Sequence, residues 1–273
     1  MNSSFLRQSG GRIARAVARR WLARIPEYNA GWSALRSELD LWRHRRARFW
    51  WRDDDAISDT AALQRLLALR RTYQIPLAIA VIPAKAEPGL RQALQDQPGV
   101  CVLAHGWNHT DHGLPGFPSG ELTAERQSAE VMYELSRGRA KLEEMFPRQF
   151  MPVLVPPYNH LAMKLVGAVK NAGFSSVSVD GDFTGLPIRS YNIHLDVIDW
   201  HRMRAARSAE IARSATIALK LRRFGLVDPD TPIGLMTHHL VHDAQVWEVT
   251  TAVLECLIQH PNATFPEMNG IFH

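Results

Sequence analysis

Val100-Cys-Val-Leu-Ala104 runs directly into His105-Gly-Trp-Asn-His109, and this junction decides how the chain reads. A short unbroken apolar run is expected of a strand buried on both faces, as in a parallel sheet covered by helices. Two imidazoles follow it at once, four residues apart. Working outward, the same arrangement recurs. Arg48-Phe-Trp-Trp-Arg-Asp53 reads as a strand ending in acids, and residues 77–82 as another buried strand. Residues 150–155 lead into Pro156-Pro157-Tyr158, residues 191–198 into Asp199, and residues 232–237 into His238.

Between these runs lie helix signals. Leucines 63, 66, 67 and 69 share one face behind a cap at Ser58 or Asp59. Further helices are expected from about residue 89, over 123–145, over 161–171 with Gly173 as C-cap, over 209–223 and over 245–258. Strand–helix alternation of this kind implies an α/β fold with a parallel sheet, open or closed into a barrel. The reactive residues fall at carboxyl ends of strands, which in a β/α barrel is the catalytic face.

The bulk composition agrees. The chain has 273 residues, 46% of them hydrophobic and 22% charged, enough for one large globular domain with a sizeable core. No stretch approaches the roughly 18 uninterrupted apolar residues of a spanning helix. Cys101 and Cys256 sit far apart in apolar runs, which points to buried, reduced thiols. The net charge of +5 is concentrated early, in Arg12, Arg15, Arg19, Arg20 and Arg24 and then Arg43, Arg45, Arg46 and Arg48. Residues 1–46 therefore read as an Arg-rich helical extension broken near Pro26, ahead of a catalytic domain over 47–273. Ile13, Val17, Trp21 and Ile25 give it one apolar face, expected to pack on the body, with weak membrane-surface contact as the second reading. Arginines interrupt every early apolar stretch, so no secretion signal is read and a cytoplasmic location is expected. No nucleic-acid motif accompanies the basic segment.

The pair His105 and His109 does not form the zinc-protease motif, because Gly106 stands where that motif carries its glutamate. A general base must come from elsewhere, and Asp53-Asp54-Asp55 offers candidates. One carboxylate with two histidines makes three protein ligands and leaves positions open for water and substrate. A second carboxylate beside them can take the water's proton.

In their order these motifs resemble the polysaccharide deacetylase family, the NodB-homology or carbohydrate esterase family 4 domain. The resemblance covers roughly residues 48–260 and implies a distorted (β/α)7-type barrel. Its first motif, aromatic-Asp-Asp-Gly, implies Asp53 as base, Asp54 as metal ligand and Asp55 at the glycine position. The second implies His105 and His109 as the other ligands of a divalent metal, zinc being the first expectation. The third, Arg-x-Pro-aromatic, is matched by Val155-Pro-Pro157-Tyr158, with the Tyr158 amide holding the oxyanion and Pro157 beside the substrate. The fourth, Asp196-Val-Ile-Asp199-Trp200, implies Asp199 orienting the acid histidine and Trp200 lining a sugar pocket.

The fifth motif is met by His238, or more literally by His242, with His239 beside the substrate and His112 an additional neighbour. The third-motif arginine is Val155 here, and Arg52 or Arg202 is expected to replace its charge. The implied activity is removal of an N-acetyl group from an amino sugar or glycoconjugate. The alternatives are hydrolysis of a non-sugar amide or ester, and a non-catalytic glycan-binding protein on the same fold.

Overall fold

A computed structural model describes residues 31–272. The apolar face expected over residues 13–25 lies outside the described residues. The segment that is described begins with α1 (Trp32–Asp40), whose Leu35 and Leu39 are fully buried. Its Glu38 receives two hydrogen bonds, of 2.6 and 3.0 Å, from the guanidinium of Arg223.

The sheet is built from β1 (Ala47–Ala56), β2 (Leu77–Val81), β3 (Val100–His105), β4 (Phe150–Val155), β5 (Ser176–Val177), β6 (Arg189–Ser190), β7 (Ile193–Asp196) and β10 (Ile233–Thr237). Its order is β6-β5-β4-β3-β2-β1-β10-β7, and each of these pairings is parallel. A short antiparallel pair, β8 (Ile198–Asp199) and β9 (Arg204–Ala205), follows β7, and β11 (Ala263–Thr264) adds to the start of β1. A lone parallel bridge between Asp180 and Ile193 connects the chain beyond β5 to β7. The result is the expected curled (β/α)-type half-barrel, with α2 (Ala61–Tyr73), α3 (Pro88–Leu94), α4 (Ser128–Met145), α5 (Val166–Asn171), α6 (Ser208–Arg223) and α7 (Ala244–Ile258) around it. Among the described residues no helix is long and apolar enough to cross a membrane.

Strand alternation sorts the core into two layers. Phe49, Trp51, Leu235 and Val102 pack in the large cluster that also holds the helix residues Leu63, Leu67 and Leu254. Trp50, Met236, Cys101, Leu103 and Val155 belong to a separate, smaller cluster inside the curl of the sheet. Both tryptophans of the central strand are fully buried, one on each side. Cys101 and Cys256 are buried free thiols.

Three local expectations change. The side chain of Thr60, rather than Ser58 or Asp59, caps α2 by accepting the Leu63 N–H at 3.0 Å. The helix expected from Thr123 starts at Ser128, because the chain before it crosses the end of the sheet, where Leu122 bridges Leu161 and Glu121 is buried. The helix expected from residue 161 is shortened to Val166–Asn171 behind a tight turn at Met163–Leu165. Gly173 does adopt the left-handed conformation of a C-cap, with φ 88°.

Candidate active site

The carboxyl ends of β4, β3, β2, β1 and β10 lie side by side in that order, with Asp53 in register with Thr237 and His105 with Val155. What each end contributes follows from residue parity. Arg52 and Asp54 share the face of Trp50, toward the inside of the curl, as Met236 and His238 do on β10. Asp53 is one residue out of step and points with Trp51 toward the helices. A shift of one residue moves a strand side chain to the other face.

Asp53 is accordingly enclosed. It is fully buried, accepting the Thr237 hydroxyl at 2.6 Å, the His239 backbone N–H at 3.1 Å and the His239 ring Nδ1–H at 2.5 Å. Burial pushes its carboxyl up, but the charge and hydrogen bond of His239 and the Thr237 bond outweigh it and hold it below the usual range. Asp53 and His239, expected as base and substrate contact, thus satisfy each other behind the sheet. Neither lines the pocket.

Asp54 takes the inward position. Its Oδ2 accepts Arg52 Nη2 at 2.8 Å and lies 3.8 Å from His238 Nε2, while its Oδ1 is buried without a hydrogen-bond partner. Arg52 is wholly buried and also donates to the Ser178 hydroxyl at 2.6 Å, the Ser178 carbonyl at 3.1 Å and Asn159 Oδ1 at 2.8 Å. Of the two arginines expected to stand in for the one missing at Val155, this is the one that reaches a cavity-lining aspartate of the triplet. Arg202 instead pairs with Asp199 at 2.8 Å on an exposed turn.

Asp55, not Asp54, is the carboxylate that meets the imidazoles. Its backbone turns to φ 73°, leaving the strand's alternation, and its Oδ1 lies 3.1 Å from His105 Nε2 and 3.3 Å from His109 Nε2. These three ligand atoms lie within 4.8 Å of one another. The His105 Nδ1–H faces the Val155 carbonyl at 3.0 Å, which turns the Nε2 lone pair toward Asp55. Either a proton on His105 Nε2 or a metal ion held between the ligand atoms satisfies this contact. The carboxylate and the imidazole are also coupled electrostatically. Burial raises the Asp55 carboxyl, yet the hydrogen bond and charge of His105 hold it well below the carboxylate range. Burial lowers His105, yet Asp55 and Asp54 hold it above its usual value. The donor set of two nitrogens and one carboxylate oxygen fits a divalent metal.

Glu121, which no sequence motif marked, holds the histidine loop in place. Its carboxylate accepts the Trp107 and His109 backbone N–H groups at 2.6 Å each. Burial raises its pKa against those two bonds. Gly106 has φ 58°, and a Cβ there would come within 2.6 Å of Glu121 Oε2 and 2.7 Å of Pro157. Positive φ values recur at His109 (59°), Tyr158 (60°) and Asn159 (52°). Backbone strain of this kind persists only where the surroundings fix it, and it gathers at ligand and active sites.

The remaining residues divide as follows. His238 and Trp200 line the pocket, with the indole edge-on to the imidazole at 4.8 Å. Asp196 lines it too and accepts the Trp200 Nε1–H at 2.9 Å; burial raises its carboxyl, against the opposing charge of His238. Asp199, expected in that role, points to Arg202 and Arg204 instead. The Tyr158 ring stacks 4.8 Å from His109, and Pro157 is buried beneath the loop at Gly106. His242 accepts the His238 backbone N–H at 3.2 Å and lies against Trp247, outside the pocket. His112 pairs its backbone with Gly120 and is not among the ligand cluster.

No protein-family model matches this sequence, and no curated protein matches it. Solved structures do resemble it. A family 4 carbohydrate esterase from Streptomyces lividans in complex with acetate superposes with a TM-score of 0.53 at 16% identity, over 82% of this chain and 95% of the other. A family 4 acetyl xylan esterase from Clostridium thermocellum in complex with a cobalt ion gives 0.54 at 12%, over 82% and 90%. A mutant of a family 4 pseudoenzyme with restored enzymatic activity gives 0.54 at 11%, over 84% and 68%. The fold of this chain is that of the family 4 carbohydrate esterases.

Proposed function

We propose that this chain is a metal-dependent hydrolase of the family 4 carbohydrate esterase kind, removing an N-acetyl group from an amino sugar or glycoconjugate. The observation that carries the reading is the Asp55–His105–His109 triangle, whose Asp55 Oδ1 is buried without a hydrogen-bond partner, beside an arginine-held Asp54. Matching the family motif one residue later than the letters suggest makes Asp54 the base and Asp55 the ligand, with Ala56 at the glycine position.

Asp55, His105 and His109 would hold the divalent metal, zinc in the first instance. When bound, such an ion polarises a carbonyl and acidifies a water molecule. Asp54 takes the proton of the attacking water. Arg52, bonded to one Asp54 oxygen, supplies a counter-charge and leaves the other oxygen free to accept. Attack on the substrate carbonyl gives an oxyanion, which the Tyr158 backbone N–H stabilises; one such donor is typically worth about 2.7–4 kcal/mol. His238 gives its proton to the leaving amine as the carbon–nitrogen bond breaks, releasing acetate. Asp196 and Trp200 stand against His238 and position it.

Acetate release from N-acetylated glucosamine oligomers, with and without chelator, tests the reading together with Asp54→Asn. Release that depends on metal and is lost in the variant supports it. Binding of the oligomer without any release would favour a retired, glycan-binding role.

A further inference from the structure

The cavity above the ligand triangle does not end there. It encloses about 690 Å3 and extends from Asp55 and His105 past Met236 and Trp200 to α6. Ser214, Ile217, Ala218 and Leu221 line this far arm from α6. Their spacing of i, i+3, i+4 and i+7 is that of one helix face. A stripe of this type ordinarily packs against a neighbouring element, yet among the described residues it walls an open cavity, together with Phe183 and Ile193.

Asp182 and His194 at the end of the arm are directed into the protein, and Asp180 is an exposed acid among the lining residues. Asp182 Oδ1 accepts the His194 Nε2–H at 2.8 Å and Arg222 Nη2 at 2.8 Å, and the Gly234 N–H donates to His194 Nδ1 at 3.0 Å. Arg222 further donates to the carbonyls of Thr231 at 2.7 Å and Ala218 at 3.0 Å. Burial holds His194 below its usual range, so its ring is neutral beside a compensated Asp182–Arg222 pair. The α6 side of the wall offers apolar surface in Ile217, Ala218 and Leu221.

We infer that this arm receives an apolar substituent of the same substrate whose amide is cleaved at Asp54 and Asp55, an alkyl or aryl group about eight carbons long. The inference rests on the hydrolase reading above and names its substrate class. From Ser214 to Leu221 the helix rises roughly 10 Å, the length of such a chain. An N-acetyl sugar alone has no apolar part of that reach. Because the acyl group removed is acetyl, the apolar group is carried as an aglycone on the amine side, and placement in the acyl chain is separable by experiment.

The test is calorimetric titration with N-acetylglucosamine, N-octanoylglucosamine and the octyl glycoside of N-acetylglucosamine, the last below its micelle concentration. Ile217→Trp fills the arm without touching the ligand or acid–base residues, and Ser214→Phe is a second obstruction should Ile217→Trp fail to give a cooperative melt. One octyl compound should bind at least about tenfold more tightly than N-acetylglucosamine. Either obstruction should erase that gain while leaving N-acetylglucosamine binding unchanged. Gain with the octyl glycoside assigns the arm to the aglycone, whereas gain with the octanoyl compound alone supports the arm but counts against acetyl as the group removed. Absence of any gain, or a gain that survives in folded Ile217→Trp and Ser214→Phe, overturns the inference. Because binding is read apart from turnover, octyl preference without amide cleavage would support the arm and count against the hydrolase reading.

Discussion

Replacing Arg52 with methionine is the sharpest perturbation of the site that does not touch a metal ligand. Arg52 is wholly buried, and four of its hydrogen bonds hold Asp54, Asn159 and Ser178 together. Methionine preserves much of the volume but leaves Asp54, 2% exposed, without its counter-charge. Removing one partner of a buried pair costs about 3–5 kcal/mol, because the other charge stays behind uncompensated. For a domain of this size that corresponds to a fall in melting temperature of roughly 10 °C. Adding Asp54→Asn should recover at least half of the loss, since the stranded charge is then gone. Urea unfolding of the two single variants and the double variant measures all three terms. Turnover should also fall by about 100-fold in Arg52→Met through displacement of the base, whereas Arg202→Ala, on its exposed turn, should leave turnover close to wild type. A loss under about 1 kcal/mol in Arg52→Met, or a double variant no more stable than it, would refute the reasoning.

Glu121→Ala frees the backbone N–H groups of Trp107 and His109 and should weaken metal binding about 10–100-fold in competition with a chromophoric chelator, with Glu121→Gln intermediate. Asp196→Asn should lower turnover markedly while Asp199→Asn changes it little, since only Asp196 lines the pocket beside His238 and Trp200; steady-state kinetics on one substrate compares them. Burial pushes His242 down from 6.5 to about 4, so between those values the unfolded chain binds a proton that the folded chain refuses. That contribution is fully present above about pH 6.5 and is lost as pH falls toward 4. His242→Gln should therefore gain on wild type by up to about 3 kcal/mol as the pH of urea unfolding is lowered across that window, and parallel profiles would contradict the assignment.

The half-barrel and the location of its site were legible in the sequence for a plain reason. Runs such as Val100–His105 and Ile233–Thr237 are apolar to their last residues and then turn abruptly to histidine. The exact roles within the aspartate triplet were not legible. Trp50 and Trp51 are both apolar and both buried, so the strand carries no alternation from which the inward parity could be read. The letters then favour the first two aspartates, while the folded strand turns Asp53 to the helices and Asp54 to the cavity. Asp196 and Asp199 pose the same problem three residues apart. Glu121 left no signal at all, because its partners are backbone N–H groups 12 and 14 residues earlier. The closed cluster of Asp182, His194 and Arg222 joins residues 12 to 40 positions apart, and only the fold assembles it. The arginine displaced from Val155 was traceable to two candidates, and the shared face of Arg52 and Asp54 separates them.

The central claim is that the site is set one residue later than the motif's letters suggest, with Asp55 as ligand and Asp54 as base. Metal content per chain, measured by mass spectrometry after dialysis, tests it in Asp55→Ala and Asp54→Asn side by side. The account predicts near-stoichiometric metal in Asp54→Asn and a loss of bound metal in Asp55→Ala. Metal retained in Asp55→Ala and lost in Asp54→Asn would contradict it.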